Sequence, residues 1–85
     1  ERWEDRGLGH YLMAYCYVAL GEEDRVLKYV DRALKANPEK YVTRLKKDLR
    51  DEKNLFFTMK EHLGLKKLVR KYTARLSPAV WLEES

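Results

Sequence analysis

An uncharged segment of ten residues, Tyr11–Leu20 (YLMAYCYVAL), constrains the fold of this chain more than any other feature. It lies in a chain of which 38% of the residues are charged. A helix of that length is only marginally stable alone in water, and a helix that is apolar all round needs cover on more than one side. The segment therefore predicts a central helix, and we expect the other helices to pack around it.

Local signals divide the chain into helices and predict an all-α fold. Gly21 fits the position after a helix end, where Gly adopts the left-handed conformation at least cost. Asn37 and Pro38 form a second signal, in which Asn caps a helix and Pro occupies its first turn. We expect a first helix over 7–20 and a second that ends near Ala36. So short a link makes them an antiparallel hairpin.

A long third helix is expected over 38–63, because apolar residues recur there at heptad spacing and no Gly or Pro interrupts them. The alternative is a helix that bends near Asn54. The stripe could also mediate self-association. Its members are Val42, Leu45, Leu49, Phe56, Met59 and Leu63.

The C-terminal part predicts one more helix and a short tail. Gly64 fits a Schellman ending for the third helix. A basic amphipathic helix is expected over 65–76, and a short tail over 78–84 carries Trp81. The 85 residues then form a single helical domain, or a fragment of a longer array whose neighbouring units are missing.

Small, aromatic and proline residues in the first hairpin follow the spacing of a known repeat. The pattern is carried by Tyr17, Gly21, Ala33, Leu34 and Pro38. Acceptable replacements stand at Met13 and Ala14, and departures from the pattern at His10 and Val26. On these residues the segment 7–40 resembles one tetratricopeptide repeat (TPR), a 34-residue unit of two antiparallel helices.

The resemblance does not recur one period later. Charged residues fall there at apolar or small positions, namely Arg44, Lys47, Asp48 and Asp51. Since a repeat needs neighbours or a cap to bury its face, the third helix is expected to cap the hairpin. The resemblance therefore implies a TPR-like hairpin, a long capping helix and a further C-terminal helix.

In this family the first helix of a repeat lines a concave binding groove. The resemblance implies that the groove-facing residues are Leu8, Tyr11, Leu12, Tyr15, Val18 and Ala19. It also implies that His10, Met13, Ala14, Tyr17 and Leu20 face the second helix. Such a groove is apolar and rich in Tyr, which suits a hydrophobic or amphipathic segment of another protein, or a second copy. The alternative is that the chain itself covers these residues.

Residues 40–76 are strongly basic, with 12 basic and 4 acidic residues, whereas the chain as a whole has a net charge of +4. The candidate basic surface comprises Arg44, Lys47, Arg50, Lys66, Lys67, Arg70 and Lys71. It could bind nucleic acid, an anionic surface or an acidic partner, which is the alternative to a protein-binding groove. The simplest reading is an ordinary solvated face.

The sequence contains no group of residues spaced as in a catalytic or metal-binding site. His10 and His62 lie in different elements, and no Cys or acidic residue stands at metal-ligand spacing. There is no glycine-rich phosphate loop and no nucleophile beside a base. We therefore expect a non-catalytic interaction or scaffold module without a metal or cofactor.

No transmembrane segment is expected. Cys16, expected to be buried, favours an intracellular, cytoplasmic location.

Overall fold

The computed structural model describes residues 6–76, and every regular element in that range is helical. The elements are α1 (Arg6–Leu20), α2 (Glu23–Ala36), α3 (Pro38–Arg50), a 3-10 helix (Leu55–Met59) and α4 (Leu63–Thr73). The all-α prediction is confirmed. The predicted tail over 78–84, with Trp81, lies outside the described residues.

The hairpin of α1 and α2 forms as the local signals predict. Gly21 takes a φ of +75°, and the backbone N–H of Glu22 then donates to the carbonyl of Tyr17 at 3.0 Å, which closes the end of α1. Ala14 and Ala33 are fully buried between the elements. Small side chains at these positions let neighbouring helices approach closely, so the hairpin packs along most of its length.

The start of α3 also follows its signal. The side chain of Asn37 accepts a hydrogen bond from the backbone N–H of Lys40 at 3.3 Å, and Pro38 occupies the first turn. Tyr41 in α3 is fully buried against the beginning of α1. A Cβ atom at Gly7 would lie 2.5 Å from Cε2 of Tyr41, so the absence of a side chain at Gly7 permits this close approach.

The single helix predicted over 38–63 is wrong, because α3 ends at Arg50. The side chain of Asp51 accepts from the backbone N–H of Lys53 at 3.0 Å, and that of Asn54 accepts from Phe56 at 2.9 Å. Such short polar side chains compete with helical hydrogen bonds and favour a turn. The chain bends back near Asn54, as in the alternative, and buries Phe56 beside α1.

The heptad stripe is therefore not one continuous helical surface. Val42, Leu45, Phe56 and Met59 are all buried within the chain. They come from α3 and the 3-10 helix, which meet at a bend rather than lie in one line. Self-association through a single long stripe on the third helix is excluded, because four of its six residues are buried and Leu63, at 71% exposed, lies on α4.

The helix ending predicted at Gly64 is also wrong, because Gly64 lies in the first turn of α4. Within the described residues, a left-handed backbone occurs only at Gly21. The start of α4 is fixed by His62, whose Nδ1 accepts from the backbone N–H of Leu65 at 3.3 Å. A side-chain cap satisfies one unpaired N–H group at the helix start, so α4 begins two residues earlier than predicted.

α4 packs on both α2 and α3. Leu65 and Tyr72 are its fully buried side chains. The Tyr72 hydroxyl donates to Oδ1 of Asp31 in α2 at 2.7 Å, which joins residues 41 positions apart. Burial, together with this carboxylate, raises the pKa of Tyr72 to about 12. The contact holds α4 against the hairpin.

Candidate functional site

One side of α1 is covered by the rest of the chain and the opposite side is exposed. Gly7, Tyr11 and Ala14 lie on the buried side. The exposed side is formed by small and apolar residues that contain no charge. We call this surface the α1 outer face, and it consists of Leu8, Gly9, Leu12, Met13, Cys16, Ala19 and Leu20.

Large side chains on the α1 outer face are well exposed. The exposed fraction is 70% for Leu20, 50% for Leu12 and 41% for Met13. Along the chain, the charged residues nearest to the face stand at its ends, with Arg6 at the start of α1 and Glu22 after its last residue. Contiguous apolar surface of this kind marks interaction sites on folded proteins. The α1 outer face is therefore the candidate site.

The groove predicted from the repeat register is only partly exposed. Leu8, Leu12 and Ala19 are exposed, and Tyr15 and Val18 are half-buried. Tyr11 is 2% exposed, so its prediction as a partner contact is wrong. Phe56 from the 3-10 helix packs against its ring, which confirms the alternative of internal cover at this position.

Tyr11 belongs to a buried cluster between α1 and α3. Its ring centroid lies 5.5 Å from that of Tyr41 and 5.2 Å from that of Phe56. Its hydroxyl donates to Oδ2 of Asp48, and Nε of Arg44 lies 3.8 Å from the same oxygen. Burial, reinforced by the hydrogen bond to Asp48, raises the pKa of the Tyr11 phenol above its ordinary value. The cluster joins two helices and offers no free group for chemistry.

An open depression of about 270 Å³ lies along one edge of the α1 outer face. Its apolar wall is formed by Leu12 and Tyr15, and its polar wall by Arg44, Asp48 and Asn54. The Tyr15 ring stands edge-on to Phe56 at 5.8 Å, so this wall packs against the 3-10 helix. The depression adds a polar margin to a face that is otherwise apolar.

The predicted contacts between α1 and α2 are half correct. His10 and Tyr17 both stack on the ring of Tyr29 in α2, with centroids 6.0 Å and 5.5 Å from the Tyr29 centroid. Met13 and Leu20, predicted to face α2, are instead exposed.

Four members of the α1 outer face were not predicted as site residues from the sequence: Gly9, Met13, Cys16 and Leu20. A signal was present, because these residues are spaced by 4, 3 and 4 positions and so share one side of a helix. The repeat register points away from this signal, because it implies that Met13 and Leu20 face α2.

The seven predicted basic residues do not form one uniform surface. Arg44 lies beside Asp48 and over the Tyr11 ring, at 5.2 Å from its centroid. Lys66 binds Glu61 at 2.7 Å, and this contact lowers the pKa of Glu61. The remaining members are exposed and belong to α3 and α4, namely Lys47, Arg50, Lys67, Arg70 and Lys71.

A second open depression, of about 230 Å³, lies between α3 and α4. Its lining residues are Leu49, Lys66, Val69 and Arg70. The basic residues of α4 thus border a small apolar floor, on a part of the molecule distinct from the α1 outer face.

Cys16 is exposed, so its prediction as a buried residue is wrong. Among residues 6–76, no three His, Cys, Asp or Glu side chains lie close enough to hold a metal ion. In the same range, the helices are too short or too polar to cross a membrane.

Comparisons with protein-family models, with curated proteins and with solved structures found no match for this chain. The site must therefore be interpreted from its own geometry.

Proposed function

We propose that this chain is a non-catalytic protein-interaction module of TPR type that binds an apolar segment of a partner through the α1 outer face. The observation that carries the proposal is the exposure of seven uncharged residues in succession on one side of one helix. Interfaces have such apolar centres with polar rims, and here the rim is supplied by charged residues at both ends of α1.

The TPR assignment draws its support from the first hairpin. Gly21 turns the chain at the expected position, Asn37 and Pro38 begin the next helix, and the small residues Ala14 and Ala33 lie at the helix contact. α3 then packs on the hairpin, as a further helix of such an array would. An intracellular location is part of the proposal and rests on the single cysteine of the chain.

The shape of the site favours an amphipathic helix as the bound segment. The face is a straight apolar strip along a helix of 15 residues, about 22 Å long. A partner helix presents apolar residues every three or four positions along a strip of this kind. The depression beside Leu12 and Tyr15 could then receive one larger side chain of the partner.

The test is a selection of binders from a display library of amphipathic helical peptides, followed by affinity measurements on variants of the full chain. Leu12→Glu places a charge in the middle of the α1 outer face. Leu63→Glu is the matched control, since Leu63 is 71% exposed, lies on α4 and is far from α1 in the sequence. Both positions are exposed, so both variants should fold.

We expect the selected peptides to bind Leu12→Glu at least about tenfold more weakly than the parent chain, and Leu63→Glu unchanged, because a desolvated carboxylate opposes an apolar contact. Equal affinity for Leu12→Glu and the parent would contradict the proposal. Leu12 is a better probe of this face than Tyr15, because the Tyr15 ring also packs on Phe56 and its loss would disturb the fold.

A second candidate function is the binding of an anionic partner or nucleic acid by the basic residues of α3 and α4. It is favoured by the depression in which Lys66 and Arg70 border Leu49 and Val69. Titration with RNA, DNA and anionic vesicles at two salt concentrations tests it, because phosphate contacts weaken steeply with salt. Absence of binding at low salt would eliminate this candidate.

A further inference from the structure

We infer that the partner of the α1 outer face is a second copy of this chain, bound so that the two α1 helices lie antiparallel about a twofold axis. This inference rests on the proposed function, since it uses the same surface. It adds the identity of the partner and the register in which the two helices meet.

The spacing of four residues of the face suits an antiparallel pair. Gly9, Met13, Cys16 and Leu20 follow one another at steps of 4, 3 and 4, a series that reads the same in both directions. In an antiparallel pair centred between Met13 and Cys16, each Met13 lies opposite Cys16 of the second copy, and each Gly9 lies opposite Leu20. A twofold interface requires such self-complementarity.

The same register brings opposite charges together. Arg6 stands at the beginning of α1, and Glu22 follows its end, where its backbone N–H bonds to Tyr17. In the antiparallel pair, Arg6 of each copy lies beside Glu22 of the other. In a parallel pair, Arg6 would meet Arg6 and Glu22 would meet Glu22. The charges therefore favour the antiparallel arrangement.

Gly9 provides an independent observation in favour of a second helix on this face. A glycine inside a helix lowers its stability relative to alanine, yet nothing within the described chain requires one here. A Cβ at Gly9 would have no atom within 4 Å, and its backbone is not left-handed. A second helix would account for it, because the small Gly9 would leave room for the large Leu20 side chain of the opposite copy. Packed helix axes lie about 8–10 Å apart, so side-chain size matters at this contact.

The area of contact between the two α1 helices determines how strong a dimer is expected. One pair of helices about 22 Å long covers less surface than the roughly 1,200–2,000 Å² of a standard stable interface. We therefore expect a dimer that forms at micromolar or higher concentration and exchanges readily.

Sedimentation equilibrium of the full chain tests the inference over a range of about 10 µM to about 1 mM. We expect the average mass to rise from that of a monomer towards that of a dimer. Met13→Glu should weaken self-association at least about tenfold, because it places a carboxylate on each side of the twofold axis. Leu63→Glu should leave it unchanged, and circular dichroism should show that both variants keep the helical content of the parent.

The register is tested by exchanging charges. Arg6→Glu should weaken the dimer about threefold to tenfold at low salt, since two equivalent ion pairs are replaced by repulsion. Adding Glu22→Arg to the same chain should restore the affinity. Glu22 suits this exchange because its side chain makes no capping hydrogen bond at the start of α2, and its ion pair with Arg25, at 3.9 Å, is exposed to solvent. A double variant as weak as Arg6→Glu alone would overturn the antiparallel register.

A monomer throughout the concentration range would overturn the inference, as would a dimer that Met13→Glu does not weaken. These outcomes differ from those that contradict the proposed function. A monomeric chain whose selected peptides still depend on Leu12 retains its interaction surface and lacks only self-association. Peptides that ignore Leu12→Glu contradict the proposed function whatever the mass of the chain.

Discussion

The hydrogen bond between Tyr11 and Asp48 joins α1 to α3 through two buried side chains. Asp48 is 9% exposed, and Tyr11 and Arg44 are its partners in the cluster. Removal of the hydroxyl leaves a carboxylate oxygen without its donor in a poorly hydrated position. Unpaired groups of this kind cost more than the hydrogen bond itself contributes.

Tyr11→Phe is therefore expected to lower the free energy of unfolding by about 1–3 kcal/mol, because the Asp48 carboxylate loses its hydrogen-bond donor. Urea unfolding at neutral pH measures the change. Tyr15→Phe is the control, because the Tyr15 ring packs on Phe56 and this variant keeps the ring. Equal stability of the parent and Tyr11→Phe would show that the cluster is held by ring packing alone.

The phenol of Tyr72 makes stability depend on pH in the alkaline range. Its pKa is about 12 in the folded chain and 10.0 for an unperturbed tyrosine, so the folded state holds the proton more tightly. The stabilisation is fully present below pH 10 and is lost as the pH rises from 10 to about 12, where only the unfolded state releases the proton. The urea midpoint should fall across this window, and it should fall less steeply in Tyr72→Phe. Parallel curves for the two proteins would contradict this role.

At the scale of elements, the ends of the helices are set by single residues. Gly21 holds the left-handed turn between α1 and α2, whereas Gly9 lies in a helix with open space around its Cβ position. Gly21→Ala should lower the unfolding free energy by about 1–2 kcal/mol, since it forces a Cβ into the left-handed region.

Gly9→Ala should raise the unfolding free energy by about 0.5–1 kcal/mol at concentrations where the chain is monomeric, because alanine is more stable than glycine inside a helix. Chemical unfolding of both variants measures the difference, and a destabilised Gly9→Ala would show an unrecognised contact.

The sequence was sufficient for elements whose boundaries depend on local chemistry. Gly21, Asn37 and Pro38 mark the hairpin and the start of α3, and each acts within one helical turn. The break after Arg50 could not be predicted from the heptad stripe, because a straight helix and a bent chain can bury the same apolar residues. The capping side chain of Asn54 was the available signal for the bend.

The start of α4 shows a competition between two local signals. Gly64 resembles a helix ending, but His62 caps the helix that follows and takes precedence. The Cβ position of Gly64 lies 2.8 Å from Cδ1 of Leu27, so this glycine serves close packing on α2 and not a left-handed turn. A glycine that permits close approach and one that ends a helix look alike until the neighbouring helix is placed.

At the scale of the whole molecule, the sequence predicted α1 as the central helix but did not predict which of its sides is exposed. The uncharged segment predicted a helix that needs cover from several sides, and α2, α3 and the 3-10 helix all contact it. Which residues remain exposed depends on contacts distant in the chain, such as Tyr11 with Phe56. Long-range packing of this kind leaves no local signal in the sequence. The repeat register therefore predicts that Tyr11 faces the groove and that Leu20 faces α2, whereas Tyr11 is buried and Leu20 is exposed.

The central claim is that the α1 outer face is the binding surface of this protein. Chemical-shift mapping tests it most directly, by ¹H–¹⁵N spectra of the full chain during titration with a selected helical peptide and during a concentration series without peptide. We predict that the largest shifts in both series lie on α1, at Gly9, Met13, Cys16 and Leu20, and at Leu12. Shifts confined to Lys66, Arg70 and their neighbours on α4, with α1 unchanged, would contradict the claim.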